Sequence, residues 1–134
     1  MIHREDAEQR ALIKWADIVP MPAGMALYTG AKIGDYLFAI PNGGARGRIE
    51  AARLIGLGVR AGVSDLLFSF PSYDVPPMHG LYIEMKAPKP YGKRETDKQR
   101  IFLSRMNEAG YETTVCYGWD EARAAIAKYL GCDL

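Results

Sequence analysis

Three charged residues, Asp65, Glu84 and Lys86, have types and a spacing that could support metal-assisted hydrolysis of a phosphodiester bond. Asp65 begins one apolar segment, and Glu84 and Lys86 end another, LYIEMK. Because alternate side chains of a strand share a face, Glu84 and Lys86 point to one side and Met85 to the other. If the two segments pair in the right register, two carboxylates and an ammonium group meet at one place.

Phosphodiester hydrolysis needs an attacking hydroxide, neutralisation of phosphate charge and help for the leaving oxygen, and a divalent cation supplies much of all three. Mg²⁺ or Mn²⁺ could be held by Asp65, Glu84 and the backbone carbonyl of Met85. Lys86 would act on the attacking water or on the phosphate. The alternative is a solvated Glu-Lys pair at a strand edge, since E-x-K occurs often by chance. Against this stands the cost of placing charges at the end of a strongly apolar strand.

The elements that must position these residues follow from hydrophobic periodicity and from the turn-forming residues between the segments. Pro20 and Pro22 end the first helix, and Gly58 or Gly62 can cap the second. The pattern predicts helices over 4–19, 48–59, 96–109 and 120–130, and strands over 36–40, 64–70, 81–85 and 112–117. The order is αβαββαβα, with the two middle strands antiparallel and Asp120 capping the last helix.

This order predicts an α/β fold in which a mixed β-sheet is flanked by helices. A chain of 134 residues usually forms one domain, so we expect a single domain over 1–134. Cys116 and Cys132 show no metal-binding spacing, and we expect reduced thiols and a cytoplasmic protein. No apolar run approaches the ~20 residues that cross a bilayer, so no membrane association is expected.

A basic segment follows the catalytic candidates in a chain whose formal net charge is only +1. Residues 86–100 contain six Lys or Arg residues against two acidic residues, so contacts with DNA are expected there. The candidates are Lys89, Lys93, Arg94 and Lys98. The turn at Asn42, Gly43 and Gly44, followed by Arg46, could also approach the DNA backbone. Its alternative role is purely structural, since Asn and Gly favour turns.

Several motifs in a fixed order resemble the VRR-NUC family of the PD-(D/E)XK nuclease superfamily. They are PNGG at 41–44, EAARLIGLGVRAGVSD at 50–65, IEMK at 83–86, and a helix containing Gln99 that leads to AGYETTVCYGWDEA. The resemblance covers nearly the whole chain and implies a restriction-endonuclease-like PD-(D/E)XK core. One position departs from the family pattern, because Ser64 stands where Pro commonly precedes the catalytic Asp.

The resemblance also implies roles for particular residues. Asp65 and Glu84 would bind the metal, and Lys86 would be the catalytic lysine. A helical acid four positions before a Gln matches Glu5, which could reach the metal through a water. Periodicity alone does not separate Glu5 from Glu8, one turn away. Gln99 matches a later catalytic Gln, although a helical Gln is also a common surface residue.

The implied activity is that of an Mg²⁺- or Mn²⁺-dependent, structure-specific DNA endonuclease, similar to the small stand-alone members of phages. Such members resolve four-way (Holliday) junctions as homodimers, so branched DNA and a second copy of the chain are the expected partners. Two alternatives remain open. One is a nuclease of the same superfamily that acts on flaps, ends or a short specific site. The other is a catalytically silent nucleic-acid-binding module.

Overall fold

The sheet that carries the predicted site residues has four strands among the residues described by the computed structural model, which are 3–41 and 47–134. The elements in chain order are α1 (Arg4–Ile18), a 3₁₀ turn (Ile33–Asp35), β1 (Leu37–Ala39), α2 (Arg48–Gly56), β2 (Leu66–Phe68), β3 (Leu81–Lys86), α3 (Asp97–Glu108), β4 (Glu112–Tyr117) and α4 (Trp119–Leu130). The predicted order of helices and strands is confirmed, as is the mixed sheet flanked by helices.

The sheet order is β1-β2-β3-β4. The pairs β1·β2 and β2·β3 are antiparallel, as predicted for the middle pair, whereas β3 and β4 run parallel. A parallel neighbour needs a crossover connection, which α3 supplies. In the β2·β3 ladder Leu66 stands opposite Ile83, so Asp65, which lies directly before β2, comes beside Glu84. The register therefore brings together the acids of the two strands.

The core explains why β3 is the most buried strand of the sheet. It is covered by α1 and α4 and paired on both edges, and five of its six residues are buried. Fully or almost fully buried residues from the helices and central strands are Leu12, Ala16, Leu66, Phe68, Leu81, Ile83, Met85, Ala122, Ile126 and Leu130. Burying this much apolar surface fixes β3, and with it the positions of Glu84 and Lys86.

The second helix differs from its predicted form. α2 ends at Gly56 rather than at residue 59, because Leu57 forms the C-cap and Gly58 takes a φ of 106°. Gly58 was one of the two predicted cap glycines. The apolar side of α2 does not enter the core. No residue of α2 is buried, and the exposed fractions of Ile49 and Ile55 are 87% and 61%.

The start of the last helix is also corrected. Asp120 does not cap α4, since the N-cap is Gly118 with a φ of 98° and the helix begins at Trp119. The Trp119 N–H instead donates to Glu8 Oε2 at 2.7 Å, so an acid of α1 satisfies the first turn of α4. Asp120 pairs with Arg123 at 2.9 Å.

β1 and β2 are shorter than predicted, because tight pairing covers only three residues of each. β3 extends one residue past the predicted segment, to Lys86, and β4 has the predicted bounds. Cys116 and Cys132 are free thiols, as predicted. Within residues 3–41 and 47–134, no helix combines the length and the apolar character needed to cross a bilayer.

Candidate active site

Asp65 is fixed against β3 by its position directly before β2. Its carbonyl accepts a hydrogen bond from the Ile40 N–H at 2.8 Å, which ties it to the β1 side. Its side-chain Oδ2 accepts from the Met85 N–H at 2.7 Å. The carboxylate therefore lies over the junction between Glu84 and Lys86, and the hairpin has the register that the sequence analysis left as a condition.

Glu84 is only 2% exposed, and its two carboxylate oxygens differ in their contacts. Oε1 accepts from Gln99 Nε2 at 2.7 Å and lies 3.7 Å from Lys86 Nζ. Oε2 is buried and has no hydrogen-bond partner among the described residues. A buried carboxylate oxygen without a partner is costly, so it indicates a place for a ligand.

Gln99 connects the start of α3 to the end of β3. Its Oε1 accepts from Lys86 Nζ at 3.0 Å and from the Thr96 N–H at 2.8 Å. Thr96 Oγ1 in turn accepts from the Gln99 N–H at 3.2 Å, which completes a capping box. Of the two alternatives for Gln99, the structure has the contact with a site carboxylate, made by a residue that also caps its helix.

The charge of Asp65 disfavours ionisation of the neighbouring Glu84 carboxyl group. Burial, followed by the charge of Asp65, raises the pKa of Glu84 to about 8, while the nearby Lys86 opposes the shift. Burial also raises the pKa of Asp65, partly offset by the hydrogen bond from the Met85 N–H. Two neighbouring carboxylates with raised pKa values need either a proton or a cation between them.

A divalent cation fits these residues. The unpartnered Oε2 of Glu84 and the carboxylate of Asp65 are hard oxygen donors, the type that Mg²⁺ and Mn²⁺ prefer. The Lys86 carbonyl accepts a hydrogen bond from the Gly118 N–H at 3.0 Å, on the β4 side of β3. Because successive peptide groups of a strand point to opposite sides, the Met85 carbonyl points toward Asp65, where it is suitable as a further ligand. Within residues 3–41 and 47–134, no three His, Cys, Asp or Glu side chains are grouped to hold an ion. A cation would therefore depend on two carboxylates, backbone and water.

The first helix brings Glu5, and not Glu8, to the site. Glu5 is exposed as a residue, but partial burial of its carboxyl group and the charge of Asp65 raise its pKa, and Lys86 opposes this shift. Glu8 points to Trp119 instead. Sequence reasoning missed Asp6, whose charge helps to raise the pKa of Asp65. The only signal for Asp6 was its place next to Glu5 in the first helical turn.

The basic loop between β3 and α3 carries exposed cations. Lys89, Lys93, Arg94 and Lys98 are all exposed, and the Lys89 ammonium lies 4.9 Å from the centre of the Tyr117 ring. Arg100 differs, because it pairs with Asp97 at 2.7 Å and with Glu95 at 3.9 Å. The other predicted DNA-binding residues lie outside the described residues: Asn42, Gly43, Gly44 and Arg46.

A second feature that sequence reasoning missed is the contact between Arg4 and Tyr91. The Arg4 guanidinium lies 3.7 Å from the centre of the Tyr91 ring. The pair borders a cavity of about 380 Å³ whose lining residues are His3, Arg4, Glu5, Asp6, Ala87 and Tyr91. The available signal was an aromatic residue within a basic segment, between Pro90 and Gly92.

Comparisons with known proteins bear on the family and the fold of the chain. The family model of the VRR-NUC domain matches residues 40–120, a stretch that includes Asp65, Glu84, Lys86 and Gln99 but not Glu5. A solved structure described as a VRR_NUC domain protein superposes with a TM-score of 0.75, over 98% of this chain and 91% of the other, at 24% sequence identity. At that identity the likeness shows the fold. No curated protein matches the chain.

Proposed function

The chain belongs to the VRR-NUC domain family, nucleases of the PD-(D/E)XK type, and from this premise we propose that it is an Mg²⁺- or Mn²⁺-dependent endonuclease that cuts branched DNA. The observation that carries the proposal is the neighbouring pair of half-buried Asp65 and buried Glu84. Glu84 Oε2 has no hydrogen-bond partner among the described residues, and Glu84 Oε1 lies 3.7 Å from Lys86 Nζ. An unpartnered carboxylate oxygen is rare in a buried ion pair that has only a structural role.

Each residue of the site has a separate task. A cation held by Asp65, Glu84 and the Met85 carbonyl would supply an activated water and neutralise phosphate charge. Lys86 is 7% exposed, so its ammonium is weakly screened where it meets the phosphate or the water. Gln99 binds both Lys86 and Glu84 Oε1, so Glu84 Oε2 would be the oxygen that holds the cation.

Glu5 would act on the same water. Partial burial and then the charge of Asp65 raise the pKa of Glu5, while Lys86 counteracts the shift, so Glu5 interacts electrostatically with both residues. An acid on a separate element can orient a metal-bound water without being a ligand itself. This supports a role for Glu5 through water.

The preference for branched DNA is supported by the position of the exposed cations beside the catalytic strand. Lys89, Lys93, Arg94 and Lys98 would contact phosphates without reading sequence. Two cuts on opposing strands of a four-way junction need two sites, which a two-fold homodimer supplies. The exposed apolar residues Ile49 and Ile55 of α2 support self-association on that helix.

The test is a cleavage assay on labelled linear duplex, flap, fork and four-way junction DNA, each with Mg²⁺, Mn²⁺ or EDTA. We expect paired cuts in the junction with either metal and none in EDTA. Cleavage of flaps, ends or one short sequence in preference to junctions would favour the alternative nuclease. DNA binding without cleavage in any metal would favour the silent module.

Variants assign the cleavage to the site and exclude a contaminating nuclease. Asp65→Asn and Glu84→Gln should each abolish cleavage while the protein stays folded, because they remove oxygen charge and not core packing. Lys86→Ala should lower turnover by about 10²-fold or more. Near-wild-type cleavage by either carboxylate variant contradicts the proposed site. Tyr73→Ala, an exposed change at the opposite end of β3, is the matched control.

A further inference from the structure

The cavity next to the proposed catalytic residues is bordered by an ordered turn. This turn follows β3 directly, and the N–H groups of Tyr91 and Gly92 both donate to the Pro88 carbonyl, at 2.9 Å and 3.2 Å. The turn leaves no room at Gly92, where a Cβ atom would meet the Ala87 carbonyl. Tyr91 is therefore held in place although its side chain is 57% exposed.

The partner of Tyr91 also has unused binding capacity. The Arg4 guanidinium covers part of the Tyr91 ring, yet no carboxylate or carbonyl among the described residues accepts a hydrogen bond from it. Stacking orders the planar group and leaves the N–H groups at its edge available for a planar or tetrahedral oxyanion. Glu5 and Asp6 in the same rim oppose the entry of a free anion, which favours a phosphate delivered as part of a chain.

We propose that Arg4 and Tyr91 form a nucleotide platform that holds an unpaired nucleotide next to the scissile phosphate. The Tyr91 ring stacks on the base, and Arg4 binds the phosphate of the same strand. This inference rests on the proposed nuclease function, because the neighbouring Asp65, Glu84 and Lys86 fix which strand enters the cavity.

The platform defines a substrate feature as well as a contact. A base inside a continuous duplex is covered on both faces by its neighbours, so a protein ring can stack on it only where the stack is interrupted. Branch points and strand ends provide such interruptions. The site would then select DNA in which a discontinuity lies beside the cleaved bond.

The experiment uses four-way junctions that carry one abasic site, moved step by step through the nucleotides flanking the cut. Binding in Mg²⁺ is measured with Lys86→Ala, which keeps the metal ligands but does not cleave efficiently. At one position the abasic site should weaken binding by about 5- to 150-fold, the effect of losing one stacked base. The double variant Lys86→Ala, Tyr91→Ala should bind weakly and have no sensitivity at that position.

Two further variants separate stacking from charge. Tyr91→Phe keeps the ring and should retain the sensitivity to the abasic site. Arg4→Met should also retain this sensitivity, but the salt dependence of its DNA affinity should decrease by the amount that corresponds to about one phosphate contact. Tyr73→Ala should leave the full profile unchanged. Equal abasic sensitivity in the presence and absence of the Tyr91 ring, or no sensitive position at all, overturns the platform. Whether the unaltered protein cleaves DNA is measured separately and decides the nuclease proposal alone.

Discussion

The side chain of Gln99 donates to Glu84 Oε1 at 2.7 Å and accepts from Lys86 Nζ at 3.0 Å. One amide therefore sets the direction of both a carboxylate and an ammonium that lie two residues apart on β3. The same amide oxygen accepts from the Thr96 N–H, so the start of α3 and the orientation of the site are coupled. Supporting hydrogen bonds of this kind direct the ligands of metal sites.

Gln99→Ala should lower kcat about 10- to 100-fold, because Glu84 and Lys86 lose the group that separates and orients them. The matched control is Thr96→Ala, which removes the other half of the capping box and should cost about 1 kcal/mol of stability. Steady-state cleavage and urea denaturation of both variants check this. Equal kcat losses in the two would mean that Gln99 acts only through the helix cap.

The two acids of α1 should separate by function. Glu5→Gln should strongly reduce cleavage with little change in the free energy of unfolding, because Glu5 is exposed and faces the site. Glu8→Gln should have a mild effect on cleavage, since its amide oxygen can still accept from the Trp119 N–H. Glu8→Ala should destabilise the fold by about 1 kcal/mol. The reverse ranking in cleavage would move the site by one helical turn.

The sequence allowed prediction of the parts of the fold that depend on local pattern. The apolar segment at 81–85 predicted β3 and its antiparallel pairing with β2, whereas the register that places Asp65 beside Glu84 is seen only in the structure. Gly58 follows the end of α2 with a positive φ, as expected for one of the two predicted cap glycines. These features depend on neighbouring residues, which a single sequence contains.

Features that depend on tertiary neighbours were not predictable. Periodicity gave α2 an apolar side but could not show whether another element covers it. The bond from Trp119 to Glu8 joins residues 111 positions apart, so no local signal existed. No local signal indicated the environment of Ser64 either. Ser64 is fully buried, and its hydroxyl has no hydrogen-bond partner among the described residues, at the position where the family commonly has Pro.

The metal-free protein should lose stability as pH rises from about 5 to about 8. The pKa of Glu84 is raised from 4.5 to about 8 in the folded state, so the folded protein keeps a proton that the unfolded chain has released in this range. Glu84→Gln should flatten this part of the curve, and Mg²⁺ should restore stability to the unaltered protein at the upper end. Urea denaturation in EDTA and in Mg²⁺ measures both effects, with the exposed Glu108→Gln as control. Parallel pH curves for the unaltered protein and Glu84→Gln would contradict the raised pKa.

Neutralising Lys89, Lys93 and Arg94 together should weaken binding to every DNA shape. The slope of log K against log salt concentration should become less steep by the amount that corresponds to about three phosphate contacts, because each exposed cation releases counterions when it binds a phosphate of DNA. Lys128, near the beginning of β3 and far from the site, is the matched control, and Lys128→Gln should leave the slope unchanged. Fluorescence anisotropy over a salt series provides the measurement. An unchanged slope in the triple variant would show that this loop faces away from DNA.

Paired cleavage of a four-way junction requires two sites, so the protein should sediment at about twice its chain mass of 14.9 kDa. Ile55→Lys should give a monomer that nicks single strands but makes no paired cuts, because it places a charge in the exposed apolar side of α2. Val75→Lys is the matched control, since Val75 is 98% exposed in the loop before β3. If Ile55→Lys stays dimeric, the interface lies elsewhere. If the unaltered protein is a monomer that cuts flaps better than junctions, the dimer model is wrong, while the chemistry of Asp65, Glu84 and Lys86 is unaffected.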